Sequence, residues 1–216
     1  MAITTLIFDL DGTLLNTLED LTDSVNYALT VCEYPLRTID EIRSFVGNGV
    51  EVLMNLAVPT GTSKENCLKC LELFRNNYTL NLQTKTKPYD GIISMLHRLK
   101  DEGYHLAVVS NKFDLAVKAL CKDYYSDYIS IAIGESSAVN KKPAPDSVYK
   151  AIEELSSSIE ESIYIGDSEV DVLTAHNAGI KCIGVTWGFR NRFILEQEGA
   201  DYIIDSPEEI FRILRN

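Results

Sequence analysis

The segment Thr5-Leu-Ile-Phe-Asp-Leu-Asp-Gly-Thr13 joins an apolar run to a pair of acids. Residues 6–8 are apolar without interruption, which is typical of a strand covered on both faces of a parallel sheet. Asp9 and Asp11 follow, one residue apart. Two like charges at the end of a buried strand repel each other unless a cation lies nearby. The segment therefore predicts a central strand with a charged site at its carboxyl end.

Further short apolar runs follow along the chain and alternate with helical patterns. Alternation at this spacing predicts right-handed strand-helix-strand units. We therefore expect an α/β fold with a doubly wound, mainly parallel, Rossmann-like sheet. The further runs lie at residues 106–110, 129–133, 163–166, 182–186 and 202–204, and the helical patterns at 91–102, 113–122, 146–155, 169–178, 192–198 and 208–214.

Residues 16–82 interrupt this alternation with helical patterns alone. Leucines and other apolar residues recur there at helical spacing, and Thr38-Ile-Asp-Glu41 has the sequence of a capping box. The polar segment 84–88 ends in proline and is typical of a linker. We predict a small helical cap at 16–82, inserted into a catalytic core made of residues 1–15 and 83–216.

The net charge of the chain limits the binding partners that we expect. The 216 residues carry 20 Lys and Arg against 32 Asp and Glu, a net charge of −12. Such a field repels polyanions, so we expect neither nucleic acid nor membrane partners. The five cysteines have no framework spacing, and Cys67-Leu-Lys-Cys70 is a lone C-x-x-C, which favours reduced thiols and a cytoplasmic protein. The sequence leaves open whether the protein is a monomer or a homodimer.

Polar residues follow several of the predicted strands. Ligands of an open α/β sheet bind beyond the carboxyl ends of its strands. Ser110 and Asn111 end the second strand, Lys142 follows the third, and Asp167 and Asp171 follow the fourth. Clustered carboxylates with few imidazoles or thiols favour Mg²⁺, while a hydroxyl and an ammonium suit phosphoryl oxygens. The pattern predicts Mg²⁺-dependent phosphoryl transfer on a small phosphorylated metabolite.

These motifs, in this order, resemble those of the haloacid dehalogenase superfamily of Mg²⁺-dependent phosphohydrolases. The resemblance covers the chain from end to end, and the helical insertion corresponds to the family's cap. Two softer stretches are most similar to the phosphoglycolate phosphatase branch, namely Phe45-Val-Gly-Asn-Gly49 and Thr186-Trp-Gly-Phe189. The stronger motifs are Asp9-Leu-Asp-Gly-Thr13, Ser110-Asn111, Lys142-Pro143 and Gly166-Asp167-x-x-x-Asp171.

The resemblance implies a role for each motif residue. Asp9 would be the nucleophile that forms an aspartyl-phosphate, and Asp11 the general acid and base. An acid at position 11 disfavours dehalogenase chemistry. Lys142 would act with Asp9 in catalysis. The groups expected around the substrate phosphate are Asp9, Gly12, Thr13, Ser110, Asn111 and Lys142, although Thr13 could simply order the loop and Asn111 could instead cap the next helix.

The same resemblance implies that Mg²⁺ is held by Asp9, Asp167 and the backbone carbonyl of Asp11. Asp171 would lie one helical turn beyond Asp167, within reach of Lys142 or of a metal-bound water. Lys141 is expected to be a surface charge and Glu169 to have no catalytic role. The cap residues Gly47, Asn48 and Gly49 could present N–H groups to an anion, or form a hinge between helices.

The family resemblance leaves the substrate open. Phosphoglycolate phosphatase is the best prediction. An inorganic pyrophosphatase or a nucleotidase of the same superfamily would use the same core chemistry. A sugar phosphomutase and a catalytically idle phosphate-binding module are further alternatives.

Overall fold

The structure is a computed structural model that describes residues 2–215. Within this range the strands are β1 (Thr5–Phe8), β2 (Leu15–Asn16), β3 (Lys87–Pro88), β4 (His105–Phe113), β5 (Ile131–Glu135), β6 (Ser162–Gly166), β7 (Lys181–Val185) and β8 (Tyr202–Ile204).

The helices of the same range are α1 (Leu18–Val31), α2 (Ile39–Phe45), α3 (Val50–Ala57), α4 (Lys64–Leu80), α5 (Ile92–Asp101), α6 (Asp114–Tyr125), α7 (Asp146–Glu154), α8 (Glu169–Asn177), α9 (Arg192–Gln197) and α10 (Ile210–Leu214). A single 3₁₀ turn, Pro207–Glu209, leads into α10. In the described part of the chain, no helix is both long enough and apolar enough to cross a bilayer.

Six strands form one parallel sheet in the order β5-β4-β1-β6-β7-β8. The first strand is central, as its unbroken apolar run predicts. Leu6 and Phe8 pack with the residues of α5, α6 and α10, whereas Ile7 faces α7 and α8 on the opposite side. The period-two alternation of a strand thus serves two helical layers. The prediction of a doubly wound, parallel α/β sheet is confirmed.

The strand β4 is longer than its apolar run suggests. The prediction ended this strand at residue 110, but pairing with β5 continues to Phe113, which faces Glu135. The register shifts between Val109 and Phe113, as it does at a β-bulge. Polar residues 110–112 were predicted at the end of this strand. They belong to the irregular end of β4, so the backbone of three consecutive polar residues is fixed at the carboxyl edge of the sheet.

The helices α1 to α4 pack around an apolar cluster of their own. Val25, Leu29 and Phe74 are completely buried in it. The predicted capping box is present, since the Thr38 hydroxyl accepts from the N–H of Glu41 and the Glu41 carboxylate accepts from the N–H of Thr38. An inserted helical unit with a separate core agrees with the predicted cap.

The two chain segments that join this helical unit to the sheet pair with each other. The segment predicted as a linker contains β3, which is antiparallel to β2. The Asp20 carboxylate accepts from the N–H groups of Lys85 and Thr86, at 2.8–3.0 Å. These contacts fix the direction in which the chain enters and leaves the cap.

Candidate active site

The carboxyl ends of the central strands meet in a crevice between the sheet and the helical cap. Its empty volume is about 570 Å³. The sheet side is polar, and the cap side is mainly apolar. The lining residues are Asp9, Asp11, Ser110, Asn111, Lys112, Lys142, Asp167, Ser168, Phe189 and Arg190 from the core, and Leu21, Val46, Gly47, Gly49, Val50 and Leu53 from the cap.

Lys142 lies at the centre of a buried charge network. Its Nζ donates to Asp9 Oδ1 at 2.9 Å, to Asp171 Oδ1 at 2.7 Å and to the Tyr164 hydroxyl at 3.0 Å. Burial by itself would lower the pKa of Lys142, but the carboxylates of Asp171 and Asp9 hold it well above its usual value. An ammonium is therefore fixed against the carboxylate of Asp9, for which the resemblance implies the role of nucleophile.

Asp171 orients Lys142 from the first turn of α8. While its Oδ1 accepts from Lys142, its Oδ2 accepts from the Ser168 N–H at 3.0 Å and the Ser168 hydroxyl at 2.6 Å. The side chain is completely buried. Of the two contacts expected for Asp171, the structure contains the one with Lys142.

Three carboxylates crowd together at the floor of the crevice. Oxygen atoms of Asp9, Asp167 and Asp171 all lie within 4.8 Å of one another. Burial and the charge of Asp171 raise the pKa of Asp9 to about 6, against the opposing effect of Lys142. Burial and the charges of Asp171 and Asp9 raise the pKa of Asp167 well above its usual value. One ammonium does not balance three carboxylates, so the cluster has the charge and the hard oxygen ligands that suit a divalent metal.

Asp167 is held by close backbone and side-chain contacts. Its Oδ1 accepts from the Thr13 hydroxyl at 3.1 Å, and its Oδ2 accepts from the Phe189 N–H at 2.6 Å. Gly12 has φ +89°, and a Cβ at this position would lie 2.4 Å from Asp167 Oδ2. The motif glycine thus leaves room for the carboxylate. The structure places the Thr13 hydroxyl on Asp167, which agrees with its predicted loop-ordering alternative.

Asp11 is paired with a lysine for which the sequence suggested no role. Lys112 Nζ donates to both carboxylate oxygens of Asp11 at 3.0 Å and also to the hydroxyl of Tyr78 on α4. The Lys112 side chain is only 2% exposed. The residue directly follows Ser110-Asn111, so its position in the motif was the signal that could have identified it.

Asn111 connects the core to the cap rather than capping a helix. Its Nδ2 donates to the carbonyls of Gly47 and Lys142 at 3.0 Å, and its Oδ1 accepts from the Lys142 N–H at 2.8 Å. The helix α6 follows Phe113 without a side-chain cap. The helix-cap alternative for Asn111 is therefore wrong. The neighbouring Ser110 lines the crevice, and its hydroxyl accepts from the Lys112 N–H at 3.3 Å.

The cap segment 47–49 connects α2 to α3 and faces the crevice. Gly47 and Gly49 have φ of +130° and +84°, and both line the cavity, whereas Asn48 is exposed. Gly49 directly precedes the first turn of α3. One geometry thus accommodates both predicted alternatives, a connection between helices and a helix start directed at the site.

Arg190 is a second residue that sequence reasoning missed. Its guanidinium pairs with Glu169 of α8 at 2.8 Å and donates to the carbonyls of Arg43 and Val46, at the end of α2, at 2.8 Å each. Arg190 thereby holds the cap against the core. Lys141 was expected to be a surface charge. Its side chain is 36% exposed and forms an ion pair with Glu135 at 2.8 Å, as a surface charge does.

Residues 6–185 match the family model for haloacid dehalogenase-like hydrolases. The chain belongs to this family. A phosphoglycolate phosphatase of Mesorhizobium japonicum is 32% identical over 92% of this chain and 89% of its own length. Another, of Pasteurella multocida, is 33% identical over 96% of each chain. The solved structure of a candidate phosphoglycolate phosphatase from Lactobacillus delbrueckii subsp. bulgaricus superimposes with a TM-score of 0.93, at 33% identity and 99% coverage of both chains.

The predicted family and the predicted fold are confirmed by these similarities. For a haloacid dehalogenase-like hydrolase, the arrangement at the sheet edge has a clear chemical capacity. It combines a carboxylate beside a fixed ammonium, a second carboxylate at the crevice wall and a third that is available to a metal. Such a set can carry out nucleophilic phosphoryl transfer with charge stabilisation.

Proposed function

We propose that the protein is a Mg²⁺-dependent phosphomonoester hydrolase that acts on 2-phosphoglycolate through an aspartyl-phosphate. Family membership and the names of its relatives make the chain a phosphatase. The observation that carries the mechanism is the buried Lys142 ammonium, 2.9 Å from Asp9 Oδ1. It holds a carboxylate in one orientation at the floor of a crevice, as a nucleophile requires.

In the first step, a carboxylate oxygen of Asp9 attacks phosphorus, and the bond between phosphorus and the ester oxygen breaks. Asp11 gives a proton to the departing oxygen, which leaves as an alcohol. In the second step, Asp11 removes a proton from water, whose oxygen attacks phosphorus and releases Asp9 and inorganic phosphate. Ser110 donates a hydrogen bond to the phosphoryl group, and Lys142 stabilises its negative charge.

The carboxylates of Asp9 and Asp167 and the backbone carbonyl of Asp11 would hold the metal. Magnesium, when bound, supplies positive charge to the carboxylates and to the phosphoryl oxygens. The crowding of Asp9, Asp167 and Asp171 within 4.8 Å, and the raised pKa values of Asp9 and Asp167, support this assignment. Thr13 and the backbone of Phe189 orient Asp167 for this purpose.

The cap selects the substrate. Residues 16–82 form a separate domain over a core of residues 1–15 and 83–216, and their apolar side chains Leu21, Val50 and Leu53 narrow the crevice. This favours a small phosphorylated metabolite and excludes bulk water from the reacting groups. The net charge of −12 argues against nucleic acid and membrane partners, and the five cysteines without framework spacing favour a cytoplasmic protein.

A substrate panel with Mg²⁺ tests the assignment. Phosphate release is measured as kcat/KM for 2-phosphoglycolate, pyrophosphate, nucleoside monophosphates and sugar bisphosphates, with Asp9→Asn as the control. We expect the highest value for 2-phosphoglycolate and no turnover by Asp9→Asn. A preference for pyrophosphate or a nucleotide would support those alternatives, and isomerised sugar phosphate would indicate a mutase. Turnover by Asp9→Asn would refute the mechanism, and no turnover of any ester would leave only phosphate binding.

A further inference from the structure

The contact between Lys112 and Asp11 continues into the cap. Lys112 Nζ donates to both oxygens of the Asp11 carboxylate at 3.0 Å, and its remaining hydrogen bond goes to the hydroxyl of Tyr78. Within residues 2–215, Lys112 is the only side chain that is hydrogen-bonded to the Asp11 carboxylate. The orientation of Asp11 therefore depends on a lysine whose other partner belongs to the cap.

Tyr78 and Lys112 are each held by further contacts. Tyr78 is fully buried in the last turns of α4 and is stacked on Phe74, with ring centroids 5.3 Å apart. Its ring also meets Phe113 of β4 edge-on at 6.3 Å, so this tyrosine lies where the cap touches the core. On the core side, the backbone N–H of Lys112 donates to the Ser110 hydroxyl.

We propose that Lys112 is a positioning residue for Asp11, and that Tyr78 makes this positioning depend on the cap lying against the core. Lys112 Nζ has three acceptors in this arrangement: the two oxygens of the Asp11 carboxylate, which it holds from one side, and the hydroxyl of Tyr78 on helix α4. If the cap moves away, the ammonium loses its third partner and Asp11 loses its fixed orientation. Proton transfer is thereby restricted to the closed crevice. The proposal rests on the role of Asp11 given under the proposed function.

The dependence of the rate on the leaving group reveals whether Lys112 and Tyr78 position Asp11. An alkyl ester departs as a strongly basic alkoxide and needs a well-placed proton donor, whereas p-nitrophenolate departs readily without one. Misplacing Asp11 must therefore slow the alkyl ester much more than the aryl ester. A variant that is merely less stable, or has a distorted site, slows both substrates by the same factor.

The test compares 2-phosphoglycolate, or the alkyl ester that the wild type hydrolyses fastest, with p-nitrophenyl phosphate. Tyr78→Phe removes only the hydroxyl and keeps the ring packing, whereas Lys112→Met removes the ammonium and Lys112→Arg retains a cation. Tyr125→Phe is the matched control, because this buried hydroxyl donates to the carbonyl of Leu14 at 2.9 Å rather than to a residue of the Lys112–Asp11 pair.

We expect Tyr78→Phe to lower kcat for the alkyl ester about 10-fold and Lys112→Met about 100-fold, a part of the gain that general acid catalysis supplies. In both variants, kcat for the aryl ester should change by less than about 3-fold. Lys112→Arg should recover part of the loss on the alkyl ester. Tyr125→Phe should leave the ratio of the two kcat values unchanged. Equal losses on both esters, or no loss with Tyr78→Phe, would overturn the proposal. Should Lys112→Met fail to fold, Tyr78→Phe still decides it. A wild type without phosphatase activity, or an active Asp9→Asn, would instead refute the proposed function.

Discussion

Replacing Asp9 by asparagine should stabilise the metal-free protein while it abolishes activity. Burial raises the pKa of Asp9 from 3.8 to about 6. The pKa of Asp9 is higher in the folded state than in the unfolded state, so folding takes up a proton between about pH 4 and pH 6. The free energy of unfolding therefore falls as the pH rises through this range. Above about pH 6 the full cost of burying the charge is present. A difference of about two in pKa corresponds to ~3 kcal/mol at pH 7.

Asparagine has nearly the shape of aspartate but is uncharged. Asp9→Asn should therefore recover most of this ~3 kcal/mol at pH 7. For a chain of this length, that gain raises Tm by about 6–12 °C. Near pH 3 the gain should vanish, because Asp9 is then protonated in both folded and unfolded states. The lysine keeps its contacts with Asp171 and Tyr164 in the variant.

Thermal unfolding with a chelator, from pH 4 to pH 8, measures this effect. The exposed Asp90→Asn serves as the matched control and should change Tm little at any pH. Excess Mg²⁺ should stabilise the wild type more than Asp9→Asn, because the variant has lost a proposed metal ligand. The difference in Tm between the two proteins should therefore become smaller. A variant that melts below the wild type at pH 8, or a gain that is the same at pH 4 and pH 8, would refute this reasoning.

Three further substitutions test other parts of the site. Gly12→Ala should raise the Mg²⁺ concentration needed for half-maximal activity at least about 10-fold, since its Cβ would lie 2.4 Å from Asp167. Gly103→Ala controls for backbone strain, because Gly103 has φ +86° and no atom within 4 Å of the added Cβ. The same Mg²⁺ requirement in Gly12→Ala and the wild type would contradict the expectation. Arg190→Gln should raise KM and increase amide hydrogen exchange in α2, whereas the exposed Arg192→Gln should not; unchanged exchange would exclude Arg190 as a clamp. Tyr164→Phe should cost about 1 kcal/mol in thermal unfolding and lower kcat, because Lys142 loses one of three acceptors; an unaltered kcat would mean that the two carboxylates suffice.

The sequence was a good guide wherever a local pattern has one structural solution. The unbroken apolar run before Asp9 is typical of a strand covered on both faces, and parallel strands bring their carboxyl ends to one edge of the sheet. The family resemblance placed Asp9, Lys142 and Asp171 at this edge, and in the structure Lys142 contacts both carboxylates. These features depend on the chain's own periodicity and on the geometry of the sheet.

Contacts between the cap and the core could not be predicted in the same way. Tyr78 and Lys112 are far apart along the chain, and their contact depends on how α4 packs against the end of β4. Arg190 reaches carbonyl groups of α2, which carry no side-chain signature in a sequence. Lys112 was assigned no role from the sequence, because the irregular pairing that extends β4 to Phe113 cannot be recognised in the residue pattern.

In the proposed mechanism, Asp9 carries the phosphoryl group during turnover. The most direct measurement mixes the enzyme with radiolabelled 2-phosphoglycolate and Mg²⁺, quenches in acid within the first turnover and maps the label by peptide mass spectrometry. The label should be found on the peptide that contains Asp9 and should be absent from Asp9→Asn. Phosphate release from an enzyme that is never labelled, or a label on any other residue, would contradict the account.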